Sequence, residues 1–76
     1  MKDLRMIIAN NIRAERNRKK LSQEQVAEAL GIARETYNSF ENGYKIDSYY
    51  IYLLSKIFEC PIDNFYLNID TTNCGN

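Results

Sequence analysis

Residues 34–39 read Arg-Glu-Thr-Tyr-Asn-Ser, which sets a guanidinium, a carboxylate, a carboxamide and a hydroxyl at positions 34, 35, 38 and 39. At about 3.6 residues per turn these four fall on one side of a short helix, and Tyr37 and Phe40 fall on the other. Arg34 can only donate hydrogen bonds and Glu35 can only accept them, whereas Asn38 and Ser39 do both. Such a set recognises a partner by donor and acceptor pattern; it does not make or break bonds. The rest of the chain supplies nothing to change that. It has no histidine, no paired acid and base and no glycine-rich phosphate loop, so the expectation is a protein that is not an enzyme. With no CxxC and no clustered carboxylates, a zinc ion lacks its usual ligands, and neither metal nor cofactor is expected. Cys60 and Cys74 are the only cysteines, read as reduced thiols in a cytosol because no signal peptide precedes them.

A helix of about two turns is marginal in water, so other elements must hold its polar face outward. Leu4, Ile7, Ile8 and Ile12 recur at helical spacing and predict an amphipathic helix over 3–19, with Lys19 and Lys20 suited to its C-terminal dipole. Ser22 with Gln25 three positions on is a capping-box pattern. It opens a second helix with an apolar face of Val26, Ala27 and Leu30, ended by Gly31. The third helix runs over 34–41 and stops at Asn42-Gly43, which permits positive φ. Asp47 or Ser48 caps a fourth, with Ile51, Leu54, Ile57 and Phe58 inward, although SYYIYLL alone is β-prone. Pro61 starts a fifth, with Ile62, Phe65 and Tyr66 or Leu67 as apolar contacts. After Asn68 the periodicity ends, which divides the chain into a domain over 1–68 and a loose tail over 69–76.

Seventy-six residues make one domain, with no room for a separate effector module. No apolar run approaches the roughly twenty residues of a membrane span. The formal net charge is zero, but it is unevenly spread: +5 over residues 1–20, −2 over 21–45 and −3 over 46–76. The basic end suits phosphates; the overall neutrality and the acidic second half suit a protein partner.

Leu21-Ser22-Gln23, Ala27, Gly31, Ile32, apolar positions 37 and 40, and Glu41-Asn42-Gly43 together resemble the helix-turn-helix of the Xre/Cro type, found in phage repressors and their bacterial relatives. The likeness extends from about Ile8 to Phe65. It implies an all-α, compact five-helix lambda-repressor-like domain whose second and third helices form the motif. It also implies a transcriptional regulator, in most cases a repressor, that binds operator DNA as a homodimer in the cytoplasm, at the nucleoid. The implied base readers are Arg34, Glu35, Asn38 and Ser39. A two-turn helix is roughly 12 Å long and the major groove about 12 Å wide; Arg grips guanine, Glu accepts from cytosine and Asn pairs with adenine. Gln23 is expected to reach phosphate or to back up a base contact. Thr36, Asn42, Tyr44, Lys45, Tyr49 and Arg13 are expected to hold the DNA backbone or support the readers.

In several phage repressors the positions of Arg16 and Glu41 form a partly buried ion pair. The chain also departs from the family pattern. Ala33 stands where Ser or Thr usually caps the recognition helix, Ile46 replaces a common Pro, Glu59 a common Gly, and Tyr37 is larger than the usual Ile or Val. For dimerisation the expected surface is Tyr50, Tyr52, Phe65, Tyr66 and Leu67, with core filling as the competing role. The alternative function is a protein-interaction module, such as an antitoxin, that turns the same fold to a protein partner.

Overall fold

Asp3 opens the first helix: its side chain accepts from the Arg5 amide at 3.0 Å, as an N-cap does to satisfy one of the free donors of the first turn. The computed structural model describes residues 3–67, and over them the chain forms α1 (Leu4–Arg18), α2 (Gln23–Leu30), α3 (Arg34–Phe40), α4 (Ser48–Ile57) and a 3₁₀ turn (Ile62–Tyr66). The expected fifth helix is thus corrected to a single 3₁₀ segment, making four helices and a turn. Pro61 contributes no N–H, and the Asn64 amide bonds back three residues to the Pro61 carbonyl, the tighter spacing of a 3₁₀ turn. The segment has only to seat Phe65, which is fully buried. The loose tail expected over 69–76 lies outside the described residues.

All the helices turn their apolar sides to one core. It is built on Ile8, Ile12, Val26, Ala27, Tyr37, Phe40, Ile51, Leu54, Phe58, Cys60 and Phe65. Leu4, expected inward, is half exposed, whereas Ala9 is fully buried. SYYIYLL is helical despite its β-propensity, because Ile51, Leu54 and Phe58 reach the core together only at helical spacing. Ile57 lies at the edge of the core, and Ser55 takes a buried place instead, its hydroxyl donating to the Tyr52 carbonyl. Tyr50 packs beside Phe40 with ring centroids 5.5 Å apart. Of the expected dimer surface, Phe65 is therefore core and Tyr50 half-buried, which leaves Tyr52, Tyr66 and Leu67 exposed.

The four helices stop by one device. The amides of Leu21, Ile32, Tyr44 and Cys60 each donate to the carbonyl five residues back, those of Arg16, Ala27, Ser39 and Ser55. Each of these bonds spans a residue in the left-handed region: Lys20, Gly31, Gly43 and Glu59. At Lys20, Gly31 and Glu59 the left-handed residue's own amide also donates three residues back, to Asn17, Glu28 and Lys56, which completes the Schellman arrangement, in which an apolar residue after the turn often packs back on the helix it ends; the turn at Gly43 has the outer bond alone. Leu21, Ile32 and Cys60 do join the core. Gly31 is required by its φ of 74°, since a Cβ there would meet no atom within 4 Å. Gly43 is required by its φ of 93°, while the sulfur that a Cβ there would meet belongs to the flexible Met6 side chain, which can swing aside.

Among the described residues one charged side chain is fully enclosed. Glu41, the residue after α3, is 1% exposed, and Arg16 of α1 grips it with Nε at 2.6 Å from Oε2 and Nη2 at 3.2 Å from Oε1. Arg16 also donates Nη1 to the Leu21 carbonyl at 2.8 Å, and Arg13 donates Nη2 to the Glu41 carbonyl at 2.7 Å. The Tyr37 hydroxyl donates to Oε2, so the larger residue at 37 adds a donor that Ile or Val could not. Burial pushes the Glu41 carboxyl up, but the hydrogen bonds from Arg16, Tyr37 and Gln23 outweigh it and hold the group below the usual carboxylate range. Burial, followed by the bond to Glu41, raises the Tyr37 phenol, which stays a neutral donor.

The contacts of Glu41 and the left-handed turns both have measurable effects on stability. Glu41→Gln leaves Arg16 without its counter-charge and is expected to cost about 3 kcal/mol, a large part of the roughly 4–11 kcal/mol of a domain this size. Because the folded carboxyl ionises below its ordinary 4.5, its stabilisation is complete above that value and is lost as pH falls through the depressed one. A series of melting temperatures against pH should therefore drop more steeply on the acid side for the parent chain than for Glu41→Gln. Lys20→Gly is expected to stabilise by about 0.5–1 kcal/mol, the relief of the left-handed strain outweighing glycine's extra chain entropy. Gly31→Ala is expected to destabilise by about 1–2 kcal/mol although the space is empty; urea titrations of the two variants measure both.

Candidate nucleic-acid interface

α2 and α3 pack against each other, and the site lies along their outer edge. Ser22 and Gln25 form the complete capping box: the Gln25 amide donates to Ser22 Oγ at 3.0 Å and the Ser22 amide to Gln25 Oε1 at 2.8 Å. The box fixes where α2 begins, and so places Gln23 as its first residue. α3 begins at Arg34 without a side-chain cap, since Ala33 has none to offer. Its entry is held instead by the Schellman turn at Gly31 and by Ile32 in the core.

Arg34, Glu35, Thr36 and Asn38 are exposed on α3, opposite the buried Tyr37 and Phe40. Arg34 and Glu35 form no ion pair with one another or with any other described residue, so both present their full donor and acceptor sets to solvent. Ser39 is half-buried, and its hydroxyl donates to the Thr36 carbonyl at 2.6 Å; outward it offers lone pairs. Asn42 is exposed and donates Nδ2 to the Asn38 carbonyl at 3.0 Å, closing the end of α3. Tyr44 and Tyr49 are 68% and 64% exposed; Lys45 is exposed as well, and these three follow α3 in the chain and lead into α4.

Gln23 turns toward α3. Its Nε2 donates to Asn38 Oδ1 at 3.0 Å and to Glu41 Oε1 at 3.0 Å. Both bonds run from the start of α2 to α3 and the residue that follows it. Arg13 likewise spends Nη2 on the end of α3 while remaining half-exposed, so it braces α3 from α1. Glu41 collects the whole arrangement: Arg16 and Gln23 on Oε1, Arg16 and Tyr37 on Oε2. Four donors fill the roughly four lone-pair sites of a carboxylate.

Sequence reasoning placed Arg16 and Glu41 together only through the family likeness, and it overlooked Tyr37 as a donor and the inward turn of Gln23. A signal was present for Tyr37: a hydroxyl four residues before a carboxylate on one helix sits one turn below it. Nothing local marks the link from Gln23, because its partners lie 15 and 18 residues on.

Among the described residues no group of His, Cys, Asp and Glu is placed to hold a metal ion, and no helix is long and apolar enough to cross a membrane. The arrangement offers hydrogen-bonding groups along the exposed face of α3. No curated protein and no solved structure among those compared matches the chain. A helix-turn-helix family model does match, over residues 12–65, from the middle of α1 to the buried Phe65. With the match spanning well over half the sequence, and α2, α3 and their Gly31 turn in place, the chain belongs to the Xre/lambda-repressor-like helix-turn-helix family of DNA-binding transcriptional regulators.

Proposed function

We propose that this protein is a sequence-specific repressor that binds its operator as a dimer, with α3 in the major groove. The observation that carries the proposal is the outward face of α3, where Arg34, Glu35 and Asn38 stand exposed beside one another. Arg34 supplies two donors in the geometry of guanine N7 and O6, and Glu35 an acceptor for the cytosine amino group. Ser39 and Thr36 border the readers. Asn42, Tyr44, Lys45 and Tyr49 are the candidates for phosphate contacts that set the register, which carry position rather than sequence. A single short helix reads few bases, so two copies on half-sites about 34–36 Å apart are needed for a useful operator. Tyr52, Tyr66 and Leu67 remain exposed to form the joint between them. Repression follows from occupancy, since a bound dimer excludes polymerase from the same DNA.

The zero net charge favours a second reading, in which the fold serves a protein partner. Salt separates the two. Binding to a duplex carrying the selected site should weaken steeply as salt rises, with the slope set by the number of phosphates neutralised. A module for protein partners would bind no duplex at any salt. Selection of bound duplexes from a random pool is expected to return a two-fold-related site. Arg34→Ala should then relax the preference at one base pair in each half-site by roughly 5- to 150-fold, with the melting temperature nearly unchanged because Arg34 has no partner among the described residues. Equal weakening on every sequence would make Arg34 a phosphate anchor instead.

A further inference from the structure

Asn42-Gly43 is the only asparagine–glycine pair in the chain, and it lies where α3 gives way to the loop toward α4. An asparagine carboxamide and the backbone nitrogen of the next residue are one bond short of a five-membered ring. Two things ordinarily keep them apart: the side chain of that next residue and the hydrogen bond its amide makes. Both are missing here. Gly43 has no Cβ, and its N–H donates to no described residue, whereas the left-handed Lys20, Gly31 and Glu59 each commit theirs to a carbonyl three residues back. Asn42 itself is exposed.

The other described asparagines lack this combination. Asn10, Asn11, Asn17, Asn38 and Asn64 are all followed by residues that carry a Cβ. The first four also lie inside α1 and α3, where the next amide is a donor of the helical ladder. Two bonds hold Asn42 back. Its Nδ2 donates to the Asn38 carbonyl at 3.0 Å, and the Tyr44 amide, across Gly43, donates to the Ser39 carbonyl at 3.1 Å. Both close the end of a helix of seven residues, where local opening costs far less than unfolding the domain.

We propose that Asn42-Gly43 is a self-modification site, and that its conversion to aspartate or isoaspartate disarms the DNA-binding face. Once the turn opens, base from solvent takes the Gly43 amide proton and the nitrogen lone pair attacks Asn42 Cγ. The Cγ–Nδ2 bond breaks, and Nδ2 leaves as ammonia with a proton from water, which gives a succinimide. A second water opens the ring. Attack at Cγ restores the main chain with an aspartate at position 42; attack at the main-chain carbonyl gives isoaspartate, with the chain routed through Cβ and Cγ. Water is the sole co-reactant. Either product replaces a donor by a carboxylate at the C-terminal end of α3, where the helix dipole is already negative. The second half of the proposal rests on the DNA-binding function: the new charge stands beside Tyr44 and Lys45, among the candidate phosphate contacts, and repels the backbone of any duplex. The loss is one-way and accumulates with the age of the molecule.

The site is tested without DNA. Folded protein in mildly alkaline buffer, and the same chain in denaturant, are followed by peptide mass mapping and by methyl transfer from an isoaspartyl methyltransferase. Isoaspartate is expected at position 42 and at no other described asparagine. Its rate should rise with pH and run roughly 5- to 150-fold slower in the folded chain, the effect of breaking two surface hydrogen bonds. Conversion slower than that range, at the pace of global unfolding, overturns the site. Fresh parent, aged parent and Asn42→Asp are then titrated onto a duplex carrying the selected site and onto unrelated duplexes. Aged protein and Asn42→Asp should bind at least about fivefold more weakly on every sequence. Binding by Asn42→Asp equal to that of the fresh parent overturns the disarming. A fresh parent that binds no duplex overturns the DNA-binding function and the disarming with it, while the mass map still decides the site.

Discussion

A single carboxylate, that of Glu41, holds the motif together. A buried charge is tolerated only when its lone pairs are filled and an opposite charge lies close by, because removing it from water costs several kcal/mol. Arg16 supplies the charge and Tyr37 and Gln23 supply further donors. These residues come from α1, α3 and α2 respectively, so satisfying one anion requires three helices to take fixed positions around the end of α3. A purely apolar core would let α3 slide or rotate at small cost. Hydrogen bonds at fixed donor and acceptor positions do not, and that matters for a helix of seven residues with little stability of its own.

The same constraint links the interior to the outward face of α3. Gln23 and Asn38 are surface amides, yet their orientation is dictated from below by an ion pair that no ligand touches. A side chain already held in place has less conformational freedom to lose in any further contact. Arg34 and Glu35 have no such partner among the described residues. The face thus combines one braced group with two unbraced ones.

Where the helices end is decided by backbone geometry. Schellman turns terminate α1, α2 and α4, and each drives an apolar residue into the core directly after the left-handed position. Each turn is therefore both a stop and an anchor. Gly31 and Gly43 adopt the conformation without strain, whereas Lys20 and Glu59 adopt it at some cost. Lys19 and Glu59, the neighbours of these turns, meet in an ion pair at 2.6 Å; it lies on the surface, where such pairs contribute little. That the chain tolerates lysine and glutamate there means the burial of Leu21 and Cys60 outweighs the backbone cost.

Much of this was legible in the residues. The capping box at Ser22 and Gln25, the stops at Gly31 and Gly43, and the separation of Tyr37 and Phe40 from Arg34, Glu35 and Asn38 are local patterns. Local hydrogen bonding and side-chain periodicity act over a few residues, so the four helices and the exposed face could be read directly. The uncapped start of α3 at Ala33 was equally plain. Three matters were settled only by the packed molecule. One is that the segment after Pro61 has room for a 3₁₀ turn and not a fifth helix. Another is that Lys20 and Glu59 sit in the left-handed region, which their residue types do not advertise. The last is that Gln23 turns inward to Glu41 and orients Asn38. Each depends on groups far apart in the chain meeting in space, and a hydrogen bond between distant residues has no local signature: sequence set the inventory of donors and acceptors, and packing decided which of them were spent.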